Sequence, residues 1–311
     1  MRIGVTGGSG FIGSHVVDAL IEAGHNVRVI DLALPQRPDV EHHQADLLDQ
    51  EALIDATSGL DVVFHLAAVA DVNDVNRDPV RAIDLNVRGT LCLLEAAREN
   101  SLRRVLFAST VWVYSSLGSA APEVVDETVQ IDIAANRHLY TSSKIAGELL
   151  CHDYWNQHQL PFTILRYGIP YGPRMRPSLV IPLFVGKALA GEPLTVAGDG
   201  SQHRKFVYVE DLARGHVLAL QDCAANQTYN LDGSEKVTIL RIAQAILRLV
   251  PSESIIKFMP SRGGDYAGSD VSSEKAHLEL GWEPRVPFET GVAKTVHWLL
   301  EKESRLASPR A

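Results

Sequence analysis

Apolar positions in the first half of the chain follow two rhythms. Short, nearly continuous apolar runs recur at 2–7 (RIGVTG), 26–31 (NVRVID), 61–68 (DVVFHLAA), 103–110 (RRVLFAST) and 162–168 (FTILRYG), with a weaker one at 40–46 (VEHHQAD). Between them, helical spacing runs over 13–24, ending at Gly24, over 50–57, and over two long amphipathic stretches near 79–100 and 138–158. Strands apolar on both faces, alternating with helices, predict a parallel sheet covered on both sides. The second half is different: GIPYGPRMRPS, AGDGSQ and SRGGD are rich in Gly and Pro, and alternating units are fewer. The expected architecture is α/β, with a doubly wound parallel sheet over 1–166. A smaller α+β lobe follows over 167–311, some segments exchanging between the two, with a frayed polar tail and no internal repeat.

The first strand-to-helix junction carries chemistry. TGGSGFIGSH places Gly7, Gly10 and Gly13 three apart, directly after a strand and at a helix start. Glycines there permit a tight turn and close backbone approach, and the helix N-terminus offers unpaired N–H groups to a diphosphate. Asp31 ends the second strand, 18 residues after Gly13. A carboxylate there accepts from an adenosine ribose and repels a 2′-phosphate, or else serves as a strand-end turn residue. Asp46 and Leu47 end the next strand, either as an adenine contact or as the cap of the following helix. In LYTSSK, Tyr140 and Lys144 are four apart and share a helix face, which in isolation reads as solvated surface.

Composition narrows the class. The chain has 311 residues, 46% hydrophobic and 22% charged, as in a globular protein with ample core. A net charge of −9 argues against a nucleic-acid binder but not against an anionic small ligand met by local arginines. Cys92, Cys151 and Cys223 show neither metal nor disulfide spacing, as expected for spectator thiols in the cytoplasm. No signal peptide and no membrane span are expected.

Taken in order, these motifs resemble the extended short-chain dehydrogenase/reductase family, and within it the NAD-dependent nucleotide-sugar epimerases and dehydratases such as UDP-glucose 4-epimerase. The resemblance covers nearly the whole chain. It implies a Rossmann domain binding NAD through TGGSGFIGSHV, with Gly7, Gly10, Phe11, Ile12 and Gly13, then Asp31, Leu32, Asp46 and Leu47. HLAA brings Leu66, Ala67 and Ala68 to the nicotinamide side, NVRGT brings Asn86, and FASTVWVY brings Ser109 and Thr110. YTSSK becomes the catalytic pair. Tyr140 takes a sugar hydroxyl proton while hydride leaves the same carbon, and Lys144 favours the phenolate and holds the nicotinamide ribose. Thr110 hydrogen-bonds the reacting oxygen, with Ser109 as neighbour or backup, unless it is simply a packed β-branched residue. In the second lobe, LRYGIPYGPR, GDGSQHRKFVYVEDLA, RGGD and LGWEPRVPFETGV match substrate segments. They make Arg204 and Arg262 the anchors of a substrate diphosphate, unless these are surface arginines, with Arg174 and Arg176 as lesser helpers. A homodimer through the two long helices is also implied.

Three departures refine this. Dehydratases and UDP-glucuronate decarboxylases of the family carry an acid just after the Ser/Thr, where this chain has Val111 and Trp112. Ile169 stands where relatives have an Asn near the diphosphate, and the prolines that usually precede the catalytic tyrosine are absent from IDIAANRHLY. The missing acid favours 4-epimerisation of a nucleotide-sugar, a UDP-sugar first. The alternatives are another enzyme on the same scaffold, a decarboxylase, dehydratase or reductase, or a non-catalytic dinucleotide-binding protein.

Overall fold

The structure is a computed structural model describing residues 1–120, 122–136, 138–260 and 270–307. The strands are β1 (Arg2–Thr6), β2 (Asn26–Ile30), β3 (Glu41–His43), β4 (Val62–His65), β5 (Arg104–Thr110), β6 (Phe162–Tyr167), β7 (Ile169–Tyr171), β8 (Leu194–Ala197), β9 (His203–Tyr208), β10 (Gln227–Leu231), β11 (Lys236–Thr238) and β12 (Ile256–Met259). The helices are α1 (Phe11–Glu22), α2 (Gln50–Thr57), α3 (Val72–Arg77), α4 (Pro79–Ile83), α5 (Gly89–Glu99), α6 (Leu139–His158), α7 (Val180–Leu189), α8 (Val209–Leu218), α9 (Ile239–Leu249), α10 (Glu274–Leu280) and α11 (Phe288–Ala307). The chain divides into two compact units. The first holds 1–168, 212–231 and 269–283, and the second 169–211, 232–268 and the remainder from 284.

The first unit is a seven-stranded sheet in the order β10-β6-β5-β4-β1-β2-β3, every neighbouring pair parallel. It is the doubly wound Rossmann arrangement expected from the strand–helix alternation. All residues of β4, β5 and β6 are buried, which explains their continuous apolar runs. Leu53, Leu93, Leu94 and Ala97 of the covering helices pack on Val63, Val105 and Ile164 of the strands. The strand order reverses between β1 and β4, so the loops leaving their carboxyl ends diverge and open a crevice.

Two expected elements differ. The 79–100 stretch is not one α-helix: α4 passes through a π-helical turn, Asp84–Arg88, before α5 begins. That turn buries Asn86, whose amide bonds Val69 and Ser143, a tertiary demand that periodicity does not show. The 40–46 run pairs as strand only over β3, at the sheet edge, where Arg28 Nη2 meets Glu41 Oε1 at 2.7 Å. No described helix is long and apolar enough to cross a membrane.

The second unit has a three-stranded sheet, β11-β9-β7, and a parallel β8–β12 pair. Tyr171, Phe206, Tyr208 and Phe288 form an aromatic core there, with ring centroids 5.4–6.1 Å apart.

Candidate active site

The glycine junction is shaped by the absence of side chains. Gly7 has φ +69°, and a Cβ on it would lie 2.7 Å from Ala67 N. A Cβ on Gly13 would lie 2.0 Å from the Gly7 carbonyl oxygen, so β1, the loop and α1 can be this close only with glycine at both places. No side chain caps the α1 N-terminus and no acid sits in its first turn. Its first N–H groups, those of Phe11, Ile12 and Gly13, are therefore without a side-chain cap, as a helix end that takes an anion requires.

Beside this junction a cavity of about 150 Å³ is lined by Gly7, Asp31, Leu32, Asp46, Leu47, Ala67, Ala68 and their neighbours. Asp31 Oδ2 accepts from Ser9 N–H at 3.1 Å and its Oδ1 from Ala33 N–H at 3.0 Å. The carboxylate thus ties the glycine loop to the end of β2. Asp46 is not the helix cap: its Oδ1 accepts from Leu48 N–H at 3.0 Å, and Asp49 caps α2 through Ala52 N–H. Leu66 is not among the lining residues; its N–H extends the ladder to Thr6 O. Asn86 closes its amide on both backbone groups of Val69 and on Ser143 Oγ, so it buckles the 66–69 loop to α6.

The residues expected at the reacting end lie where β5 outruns β4. The β4 ladder stops at His65, opposite Phe107, so Ala108, Ser109 and Thr110 have strand partners only on the β6 side. Lys144 Nζ takes the vacated place and donates to Ala108 O at 2.9 Å. Tyr140 lies one turn earlier on the same face of α6, half-buried. Burial pushes the Lys144 ammonium down to about 8 despite the opposing field of Glu148. Thr110 Oγ1 accepts from Trp112 N–H at 3.2 Å, which leaves its own O–H to donate. Ser109 points the other way, as strand alternation requires, and its hydroxyl donates to Glu148 Oε1 at 2.5 Å. That hydroxyl is therefore committed away from Thr110. Trp112 stands edge-on to His138, ring centroids 5.8 Å apart, beside the first turn of α6. In place of the prolines, Asp132 caps a short turn through Ala134 N–H, and Asn136 Nδ2 reaches Ser142 Oγ at 2.7 Å.

Several buried groups were missed from the sequence. α6 is not simply amphipathic: its buried face carries Thr141, Ser143, Lys144 and Glu148. Glu148 receives Arg166 at 2.9 Å through Nε and 2.6 Å through Nη2, and Arg166 Nη1 donates to Tyr114 OH at 2.7 Å. Tyr114 OH in turn donates to Asn230 Oδ1 at 3.0 Å. The available signal was an arginine inside the otherwise apolar FTILRYG, and a glutamate four residues beyond Lys144. His65 is held between two hydroxyls. Thr90 donates to Asn86 O, so it accepts from His65 Nε2 at 3.0 Å, and His65 Nδ1 accepts from Thr6 Oγ1 at 2.8 Å. The ring is thus neutral, and burial with the nearby Lys144 charge pushes it down to about 3. His216 Nδ1 donates to Leu212 O, and its Nε2 accepts from Tyr167 OH at 2.5 Å.

In the second unit, Arg204 lies on β9, opposite Val237 of β11, with Nη1 donating to His203 O at 2.7 Å. Arg174 and Arg176 are half-buried on the segment after β7, and Arg174 has φ +66°. Ile169 opens β7, opposite Phe206. Arg262 and the rest of RGGD lie outside the described residues.

Residues 3–232 match the NAD dependent epimerase/dehydratase family. The chain belongs to that family. It is 35% identical over 304 residues to UDP-glucuronic acid decarboxylase 1 of Danio rerio, covering 96% of this chain and 72% of the relative. It is 33% identical over 338 residues to dTDP-glucose 4,6-dehydratase of Neisseria gonorrhoeae, covering 97% and 96%. Among solved structures, UDP-glucose 4-epimerase of Thermotoga maritima with UDP-glucose superposes with a TM-score of 0.89 at 31% identity, covering 97% of this chain and 100% of that one. UDP-glucose 4-epimerase of Thermus thermophilus in complex with NAD gives 0.82 at 33%, covering 96% and 99%. This family member is thus an NAD-dependent enzyme of the nucleotide-sugar epimerase, dehydratase and decarboxylase class. The glycine junction, the uncapped α1 terminus and the Asp31 cavity fit the dinucleotide.

Proposed function

We propose that the protein is a nucleotide-sugar 4-epimerase acting on a UDP-sugar. What supports this reading is that Lys144 reaches Ala108 O, two residues before Thr110, with Tyr140 one turn earlier on α6, and that the positions after Thr110 hold Val111 and Trp112 rather than an acid. Oxidation at C4, turnover of the keto-sugar and reduction from the other face need one base and one oxygen donor. Elimination of water needs a further acid and base to move protons at C5 and C6.

In this reading Gly7, Gly10, Phe11, Ile12 and Gly13 hold the cofactor diphosphate, Asp31 the adenosine ribose, and Leu32, Asp46 and Leu47 the adenine side. When bound, NAD supplies an acceptor for the C4 hydride and gives the hydride back. Thr110 donates to the C4 oxygen. Tyr140 takes the C4 hydroxyl proton and later returns it, a role worth roughly 10²–10⁴-fold in rate. An ordinary tyrosine titrates near about 10, so this role needs the Lys144 ammonium to favour the phenolate. Arg204 and Arg262 anchor the diphosphate so that the sugar turns without leaving, and two copies pair through α5 and α6. The names of relatives support a decarboxylase or dehydratase as the second reading.

The test is titration of UDP, dTDP and several UDP-sugars into the purified protein, with absorbance of the bound cofactor followed at the same time. UDP-sugars are expected to bind and to produce a small, substoichiometric NADH signal. If no nucleoside diphosphate binds, the nucleotide-sugar reading fails.

A further inference from the structure

We propose that Glu148 is a positioning residue for the Tyr140–Lys144 pair, fixing the free end of β5 and keeping the Lys144 ammonium charged where water cannot. The inference rests on the reading of Tyr140 and Lys144 given above.

Tyr140, Lys144 and Glu148 occupy one stripe of α6 at intervals of four residues. Lys144 and Glu148 are 5% and 7% exposed, so neither charge is stabilised by bulk water. The ammonium donates to a single described acceptor, Ala108 O, and packs 5.0 Å from the Phe107 ring. Its seat is only as fixed as the end of β5, which has lost β4 as a neighbour. The Ser109 hydroxyl, one residue on, pins that end to Glu148 at 2.5 Å. Glu148 is itself clamped by the two-pronged contact with Arg166 from β6. One carboxylate therefore fixes the carbonyl that seats Lys144 and also places a negative charge one turn away from it.

The other groups facing Lys144 do not replace that charge. Tyr140 and Cys151 share its helix, and the Cys151 thiol is raised by burial and so is neutral. His65, from β4, is neutral. Arg166, from β6, is the partner of Glu148 rather than of Lys144, and Tyr167 on the same strand, which interacts with Tyr140, is held protonated by burial. Removing the Glu148 charge leaves the Lys144 ammonium facing burial without the carboxylate that opposes it, which favours the neutral amine.

The experiment uses the full chain with ¹³Cε-labelled lysine, following each lysine by NMR as pH is raised. The Lys144 signal is assigned by its loss in Lys144→Arg. The wild-type midpoint should lie near 8. In Glu148→Gln, which keeps the shape and loses the charge, it should fall by about one pH unit or more. Ser109→Ala keeps both charges and should leave the midpoint in place. If Glu148→Gln does not fold, Glu148→Gln with Arg166→Gln leaves no lone charge and should show the same downward direction. A Glu148–Arg166 pair that only stabilised the fold would lower the melting temperature and leave the midpoint unmoved. That result, in a folded variant, overturns the inference. A wild-type Lys144 titrating at the ordinary value near about 10.4 would instead break the buried Tyr140–Lys144 site itself. Neither outcome depends on which sugar is turned over.

Discussion

Around β1 and α1 the protein makes a binding surface by leaving side chains out. Gly7 and Gly13 let two backbone segments and a helix end crowd together, and in the proposed reading the cofactor meets N–H groups there. Along α6 it does the opposite. Lys144, Glu148 and Arg166 are packed into the core, and each charge is held by a partner from another element. The first region depends on shape and the second on balanced charge. Side chains added to the first should damage cofactor binding and spare the chemistry. Groups removed from the second, Lys144 apart because it is also expected to hold the nicotinamide ribose, should damage the chemistry and spare the cofactor.

The sharpest break of that comparison is Tyr140→Phe. Turnover is expected to fall roughly 10²–10⁴-fold, with NAD affinity and melting temperature near wild type. Wild-type turnover would take Tyr140 out of the mechanism. The opposite manipulation is Gly13→Ala. Its Cβ would meet the Gly7 carbonyl at 2.0 Å, backbone that cannot rotate away. Forced movement there is expected to cost about 3 kcal/mol, or roughly a hundredfold in NAD affinity by calorimetry. Unchanged affinity would show that the junction is looser than described.

The difference between the regions also explains what was legible in the sequence. A glycine's demand is local, so Gly7, Gly10 and Gly13 could be read from spacing and from their place between a strand and a helix. The parallel sheet was legible for the same reason, because doubly buried strands must be apolar throughout. Glu148 and Arg166 could not be paired from the sequence: they are 18 residues apart, and their contact exists only once α6 packs on β5 and β6. Asn86 was legible as a motif residue, but the π turn that buries it was not, because Val69 and Ser143 demand it from outside the helix. Thr110 was read as the hydroxyl partner with Ser109 as neighbour or backup, and the commitment of the Ser109 hydroxyl to Glu148 appears only in the structure.

Arg204→Ala extends the comparison to the second unit. A lost charge-assisted hydrogen bond is worth about 1.5–3 kcal/mol, so UDP-sugar binding should weaken roughly ten- to a hundredfold while NAD affinity holds. Equal binding by both proteins would remove Arg204 as an anchor.

The smallest expected effect concerns acid. His65 and His216 are buried neutral, pushed down to about 3 and about 4, whereas the unfolded chain takes up those protons near 6.5. Their contribution is complete above 6.5 and is lost as pH falls toward 4, by up to about 1.4 kcal/mol per pH unit for each ring. Urea midpoints at pH 7, 5.5 and 4.5 should fall accordingly, less steeply in His216→Asn. A slope in that variant as steep as wild type would exclude His216.

The most direct test of the epimerase reading is made in D₂O. UDP-glucose, UDP-glucuronate and dTDP-glucose are each incubated with the purified protein and followed by proton NMR. Epimerisation carries the C4 hydrogen out and back as hydride and never loosens C5. The predicted result is a mixture of C4 epimers from a UDP-sugar, with no deuterium at C4 or C5. Release of carbon dioxide, or a 4-keto-6-deoxy product with deuterium at C5, would contradict it and make the protein a decarboxylase or dehydratase.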